Sequence, residues 1–397
     1  MPEPLETTDG GPREPTDRAS RDRRARARRN QHAQVLVVVL AITAGLIAAG
    51  LGTSPDEPAR AATGKSATTA APKKPAPART FLFAHVGEKS KLDLLAVAGI
   101  EAGGKIGSLV FVPATTLVQV PAFDTQPLLE VPRLGWSTLL TTSVANALGM
   151  RFDEVIVIGD GTLTDLLAPA KRLDVTFRRA VQVDDSAGTL AFTPGRARLS
   201  ATDATRLLIG TDRAGSVEHL VTVQAVLQAW FDRLRTDSVA RASVRALGSA
   251  RNLVALANAE VGFETLPVDV LSSGSISRYE LREPDAGELI RANFPWAMLA
   301  DGKRPRVEVL NGTGAIALTQ AVARKVVPAG GEIILTGNVP GFGVKRTQVV
   351  YYREADLAAA RRLATALGVG SVALGNVPID VIDLTVVVGS DFRIKRS

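Results

Sequence analysis

Val307–Ala317 reads VEVLNGTGAIA. A run of strand-forming residues passes into Gly312-x-Gly314-x-x-Ala317, and apolar residues at helical spacing follow. The stretch therefore predicts a strand that turns directly into a helix. The same spacing of glycines occurs in dinucleotide-binding turns, where an acid closes the next strand about 20 residues on. Here Glu332 begins the next strand and Leu335-Thr336-Gly337 ends it, and the unit is too short for two mononucleotide halves. The glycines are read as a tight strand-to-helix connection.

Outward from this turn, residues 306–392 alternate between the two periodicities. The pattern predicts strands at Arg306–Leu310, Glu332–Leu335, Thr347–Tyr352 and Leu384–Val388, with helices at Ala315–Val327 and Glu354–Leu367. That is a small α/β domain. Asp301-Gly-Lys-Arg-Pro305 reads as the linker before it. Residues 81–300 form a larger mixed domain. Strands are expected at Phe81–His85, Leu92–Ile100, Lys105–Val112 and Glu154–Ile158, and helices at Gly135–Leu148 and Leu163–Leu167. A long helix is expected over Val217–Leu234, where Leu220, Val223, Leu227, Trp230, Phe231 and Leu234 share one face. Strands mixed with helices argue for a layered α-β-α domain.

The N-terminal region differs in kind. No Asp, Glu, Lys or Arg lies between Arg29 and Asp56, and Val35–Leu51 (VLVVVLAITAGLIAAGL) has one polar residue, Thr43. A helix over 35–52 with its flanks reaches across the roughly 30 Å hydrocarbon layer. A cleaved signal peptide has a shorter apolar core and a shorter leader, which favours a retained span. Seven arginines from Arg18 to Arg29 precede the span against one acid, Asp22, which puts residues 1–34 in the cytoplasm and the body outside the plasma membrane. Residues 53–80 are an Ala, Pro, Thr, Ser, Gly and Lys tract with too few apolar residues to fold, and read as a disordered tether.

Composition removes several functions. The formal charge is +7, but residues 1–34 hold eight arginines against six acids and residues 53–80 five basic residues against two acids. Little positive charge is left for the body, so no nucleic-acid partner is expected. Absence of cysteine excludes disulfides, thiol catalysis and Cys-based zinc sites. The three histidines, His32, His85 and His219, are too scattered in sequence for a metal cluster, and neither a nucleophile elbow nor a Walker loop occurs.

In this order of features, several segments carry a resemblance. VEVLNGTG, Gly341-Phe342-Gly343-Val344, Thr347–Tyr351 and Asp383–Phe392 are similar throughout to the LytR C-terminal domain. KLDLLAV (Lys91–Val97), VFVPATTLVQVP (Val110–Pro121), LGMRFDEVIVI (Leu148–Ile158) and TPGRARLSATDATRLL (Thr193–Leu208) resemble, in order, the catalytic domain of the LytR-CpsA-Psr cell-envelope family. The resemblance implies an α/β protein: a membrane-anchored α-β-α layered domain followed by a small α/β LytR C-terminal domain. Active members of that family move a glycopolymer from a polyprenyl-pyrophosphate carrier to peptidoglycan. A pyrophosphate calls for arginines and a divalent metal, and the metal for carboxylates.

The sequence departs from the family where that chemistry resides. Where the family has Pro-Arg-Asp-Thr after a strand, this chain has Pro113-Ala114-Thr115-Thr116. The family's early aspartate is matched by Asp93. Ile209, His219 and Thr222 fall near positions of the family's later arginines. Arg206 is read as a solvated face of a helix, and the turn Ala114–Thr116 as bare structure with its hydroxyls capping backbone groups. Two readings follow. In the first, the chain is a non-catalytic binding or scaffold protein whose partners are a cell-envelope glycopolymer, a polyprenyl lipid or an active relative, with no cofactor. In the second, it is an active transferase with a site remodelled around Asp93, with Asp212 and Arg213 as weak substitutes and magnesium as the cofactor, held by Asp93.

Overall fold

The computed structural model describes residues 76–394 apart from 88–89, 211–215, 249, 274–276 and 377–379. The expected head and membrane span, and most of the tether, lie outside the described residues. Among the described residues, no helix is long and apolar enough to cross a membrane.

The first domain runs β1 (Arg79–Val86), β2 (Leu92–Ile100), β3 (Ile106–Phe111), β4 (Leu117–Val120), β5 (Asp124–Pro127), α1 (Val131–Leu148), β6 (Glu154–Ile158), α2 (Asp160–Leu167), β7 (Arg172–Phe177), β8 (Val181–Asp185), β9 (Gly188–Phe192), β10 (Gly195–Ser200), α3 (Ala201–Ile209), α4 (Val217–Thr236), α5 (Ser238–Ala246), α6 (Arg251–Ala257), β11 (Glu260–Thr265), β12 (Val268–Ser272), β13 (Arg278–Leu281) and α7 (Asp285–Asn293). Its central sheet has the order β11-β3-β2-β1-β6. β1 pairs β6 in parallel and β3 pairs β11 in parallel, while β2 runs against both β1 and β3. Four strands therefore end at the same edge, and β2 starts there.

Alternation along the strands builds two cores. Phe81 and Phe83 of β1, Leu94 and Ala96 of β2 and Phe111 of β3 face one way, onto α2–α6. Leu82, Ala84, Leu95, Val97 and Val110 face the other way, onto α1 and α7. Burial on both faces explains why β1 and β2 read as near-continuous apolar runs rather than as alternating ones. β1 starts at Arg79, two residues inside the stretch read as tether. Thr80 is buried there because its amide and hydroxyl both bond the Asp153 carboxylate, at 2.8 and 3.2 Å. α1 starts a turn before the expected Gly135, with a proline in its first turn, where the missing N–H has no partner to lose.

The second domain runs β14 (Arg306–Asn311), α8 (Ile316–Val326), β15 (Glu332–Asn338), β16 (Gln348–Tyr351), α9 (Leu357–Leu367), β17 (Ser371–Leu374) and β18 (Leu384–Val388), with sheet order β15-β14-β18-β16-β17. Val307, Val309, Val349, Val386 and Val388 pack beneath α8 and α9. Gly312 turns β14 into α8, and a Cβ there would collide with Val344 and the Val388 carbonyl. That close packing is what the quoted motif serves, as the strand-to-helix reading requires.

The two domains are joined by more than a linker. β15 is an edge strand, and its Ile333 is met by the buried Asn146 of α1. The Asn146 amide donates to Ile333 O at 2.8 Å and its Oδ1 accepts from Ile333 N at 2.8 Å. One side chain so completes the ladder hydrogen bonds of a strand edge. Arg304, at the end of the expected linker, is itself largely buried, and its guanidinium donates to Asn146 O. Asn146→Ala leaves both backbone groups of Ile333 buried and unpaired. It should destabilise the protein by about 2–3 kcal/mol, read as a lowered urea midpoint.

At the same end of β14, on its β18 side, Asp383 is 7% exposed and accepts from Arg306 Nε and Nη2 at 3.1 and 2.9 Å, and from Arg353. Burial works against its ionisation, but Arg306 and then Arg353 outweigh it and hold the carboxyl at about 2. A depressed carboxyl contributes stability above its unfolded value, and the contribution fades as pH falls toward 2. Asp383→Asn should therefore cost roughly 2 kcal/mol at pH 7. The gap to wild type should narrow between about pH 4 and pH 2, as measured by chemical unfolding at each pH.

Candidate ligand site

The edge at which β1, β3, β6 and β11 end is where open α/β sheets place their ligands. Four segments meet there: the end of β1, the start of β2, the turn after β3 and the start of α4.

β1 delivers His85, whose side chain is fully buried. The register of β1 and β2 slips just beyond it: His85 pairs Leu94, but Val86 pairs Leu92, so Asp93 is the extra residue of a bulge. Bulges re-aim side chains, and this one brings the Asp93 carboxylate to His85. Asp93 Oδ2 lies 3.4 Å from His85 Nδ1, and Asp160 Oδ1, from the first residue of α2, lies 3.0 Å from His85 Nε2. Neither contact is aligned as a hydrogen bond. The imidazole thus stands between two carboxylates. Gly87 closes the group from behind, since a Cβ there would strike Asp93 Oδ2 and touch Asp160 and His85.

α4 delivers His219 and Thr222, both buried. Ser216 caps the helix, its hydroxyl accepting from His219 N at 3.1 Å. His219 Nε2 lies 3.3 Å from Leu208 O. Burial pushes the His219 imidazole below its ordinary value, with the Leu208 carbonyl and the Asp93 charge opposing. The field of Asp93 thus reaches both histidines. His219 and Thr222 also line a cavity of about 670 Å³ beside the β8–β9 hairpin, whose Val181, Val183 and Phe192 supply an apolar wall.

The turn after β3 is not a solvent-facing cap. Ala114, Thr115 and Thr116 are all buried, and their carbonyls are spent on neighbours: Leu129 N donates to Ala114 O, Leu128 N to Thr116 O, and Tyr279 N to Thr115 O. The Thr116 hydroxyl has no partner, so it does not act as the expected backbone cap. Tyr279 links this turn to α4, its hydroxyl accepting from Val217 N at 3.4 Å.

Several sequence expectations meet the structure here. Asp93 stands at the centre of the group. Asp212 and Arg213 lie outside the described residues. Ile209 ends α3, half-buried against the core. Arg206 is not a solvated face residue: its guanidinium forks onto Asp185 at 2.7 and 2.8 Å and also donates to Gly188 O, which pins the β8–β9 hairpin onto α3. His85 and His219 are far apart in sequence; His85 stands against Asp93, and His219 is near enough to feel its charge. Asp160 was not anticipated. Its signal was its place directly after a strand and a glycine, at the same edge as Asp93.

Residues 304–392 match the family model for the LytR cell envelope-related transcriptional attenuator. This is the stretch whose segments VEVLNGTG, Gly341–Val344, Thr347–Tyr351 and Asp383–Phe392 resemble the LytR C-terminal domain. No curated protein sequence matches the chain. Among solved structures, TagV of Bacillus subtilis is similar with a TM-score of 0.47 and 14% identity, over 55% of this chain and 96% of that one. TagT bound to LI-WTA is similar at a TM-score of 0.46 and 13% identity, over 55% and 90%. YwtF (TagT) with bound octaprenyl pyrophosphate lipid gives 0.44 and 14%, also over 55% and 90%.

Gly87→Ala tests the packing of the group. The added methyl should displace the Asp93 carboxylate from His85 while the sheet remains folded. The expected readout is a changed pair of His85 ring nitrogen shifts by NMR with an unchanged far-ultraviolet circular dichroism spectrum.

Proposed function

We propose that this chain is a membrane-anchored cell-envelope protein of the LytR-CpsA-Psr type whose first domain binds an envelope lipid or glycopolymer without transferring it. The span at 35–52 would hold it in the plasma membrane, with both folded domains outside. The observation that carries the non-catalytic reading is the charge around Asp93. Among the described residues its ion-pair partner is His85, and no arginine or lysine pairs with it. The positions where the resemblance implies arginines hold Ala114, Ile209, His219 and Thr222.

Phosphoryl transfer depends on positioning and on neutralising charge in the transition state. A histidine whose protonation burial disfavours and a threonine are poor substitutes for arginine in both respects. Magnesium fits the group poorly as well. Magnesium takes oxygen ligands in a near-octahedral shell, but His85 stands between the carboxylates of Asp93 and Asp160. Among the described residues no three His, Cys, Asp or Glu side chains are gathered to hold a metal ion. What the site retains is an acid, two histidines and an adjoining half-apolar cavity, which suits binding more than transfer.

The test uses the full chain in detergent micelles with a polyprenyl pyrophosphate and the matching monophosphate, each with and without magnesium, followed by native mass spectrometry. Lipid binding that differs less than threefold between the two phosphates, and is unaffected by metal, is the expected outcome. A strong magnesium-dependent preference for the pyrophosphate would sink the non-catalytic reading. Binding of neither lipid would remove the lipid from the proposal and leave the glycopolymer and protein partners.

A further inference from the structure

A recess of about 230 Å³ opens between α1 and the C-terminal end of α8. Met150 and Val327 are its fully buried part, and the half-buried Ala145, Phe152 and Leu299 form its walls. The walls are held in place by the backbone: Leu299 N donates to Gly149 O at 2.9 Å and Arg151 N to Ala297 O at 2.8 Å. The polar groups nearby have partners. The Thr141 and Thr142 hydroxyls donate within α1, to Ser137 O at 2.7 Å and Thr138 O at 2.8 Å. The carbonyls of Lys325, Val326 and Val327 at the end of α8 accept from Ala329, Gly331 and Gly330. The inside of the recess is therefore apolar.

Its rim carries charge of one sign. Among the described lining residues the charged ones are Arg151 and Arg324, both exposed. Arg151 gives Nη2 to Trp296 O at 2.7 Å and keeps further N–H donors. Arg324 has no hydrogen-bond or ion-pair partner among the described residues. With Lys325 it lies in the last turn of α8, where it offsets the negative end of the helix. The recess lies away from the Asp93 group. Thr80, near the start of β1, donates to Arg151 O at 3.1 Å, whereas His85 is near the other end of that strand.

We infer that this recess docks a protein segment that plugs it with one apolar side chain flanked by carboxylates. The inference concerns a second surface and stands apart from the lipid and glycopolymer reading above. The volume falls below the roughly 300–1,000 Å³ that ligand pockets occupy, which suits one large side chain better than a sugar chain or a polyprenyl tail. Single apolar anchors set in such pockets, ringed by polar contacts, carry most of the energy of protein interfaces. Met150 at the bottom can adjust its shape to the anchor. Carboxylates on either side of the anchor would meet Arg151 and Arg324, and guanidinium groups pair well with carboxylates. A flat bilayer surface would meet the same arginines but leave the recess unfilled.

The experiment titrates fluorescein-labelled, end-blocked hexapeptides with the full chain in detergent micelles and reads fluorescence anisotropy. The central residue is phenylalanine, leucine or alanine, and its flanks are glutamate, glutamine or lysine. A glutamate-flanked phenylalanine or leucine peptide should bind tightest, about tenfold tighter than its lysine-flanked or alanine-centred counterpart. Arg324→Glu should abolish the preference for glutamate flanks. Thr141→Phe, which fills the recess from α1, should abolish binding with an unchanged far-ultraviolet circular dichroism spectrum. If that variant does not fold, the peptide ranking and Arg324→Glu still decide the matter. Failure of every peptide to bind, a ranking indifferent to centre or flanks, or the same ranking in Arg324→Glu would overturn the inference. Binding to phosphatidylglycerol vesicles that Arg324→Glu removes, with no peptide bound, would assign this face to the membrane and overturn it as well.

Discussion

An imidazole without any exposure to water, at the end of a central strand, needs its two nitrogens to face something polar. His85 faces a carboxylate on each side, and most of the local architecture follows from that requirement. The β2 strand must slip its register so that Asp93 turns toward β1 rather than continuing the alternation of its neighbours. The chain after β1 must lack a side chain at position 87, or the carboxylate has nowhere to lie. α2 must begin directly after β6 so that its first residue, Asp160, reaches the other nitrogen. The bulge interrupts the regular ladder, and together these choices place two carboxylates beside one imidazole at the edge where β1 and β6 end.

That placement has a consequence for α4. A helix N-terminus favours anions, both through its free N–H groups and through its dipole. In this chain Ser216 takes the His219 N–H and Tyr279 OH the Val217 N–H, and the residue at the third position is a histidine whose protonation burial disfavours. Asp93 pulls that histidine toward protonation and burial pushes it away, with burial the larger effect. A site meant for a pyrophosphate would resolve this contest with arginines, which stay charged when buried beside anions. Here two of the first N–H groups of the helix are taken by Ser216 and Tyr279, and the side chain that follows is an imidazole rather than a guanidinium.

The sequence and the structure agree best where burial is two-sided or where a glycine has one geometric duty. β2, β6 and β18 carry the bounds expected of them, and the connection at Gly312 serves the packing that its spacing suggested. Of the ribbons β7–β10, β7 (RLDVTF) does alternate buried apolar with exposed polar residues, a pattern the sequence reading passes over, whereas β8, β9 and β10 are five- or six-residue, partly exposed strands with too few apolar positions to show a period. The candidate site was legible in one residue. Asp93 stood out through resemblance, but its partners did not, since His85, Asp160 and His219 are separated by up to 134 positions in sequence and meet only through strand order and a bulge. Arg206 shows the reverse failure: a basic residue on a polar helix face reads as solvated, and only the hairpin folded over it reveals the fork onto Asp185.

The second domain bears on the first through geometry more than through chemistry. Asn146 lies two residues from the end of α1, the helix that covers the sheet face opposite α2–α6, and its side chain is spent on an edge strand of the C-terminal domain. Ala145, its neighbour, packs into the C-terminal core itself. A hinge between domains usually shows a polar, sparsely bonded interface. This one instead has a buried amide making two backbone hydrogen bonds, with a largely buried arginine behind it. The junction between the domains is therefore held by side-chain hydrogen bonds from α1 to β15, and not by the linker 301–305 alone.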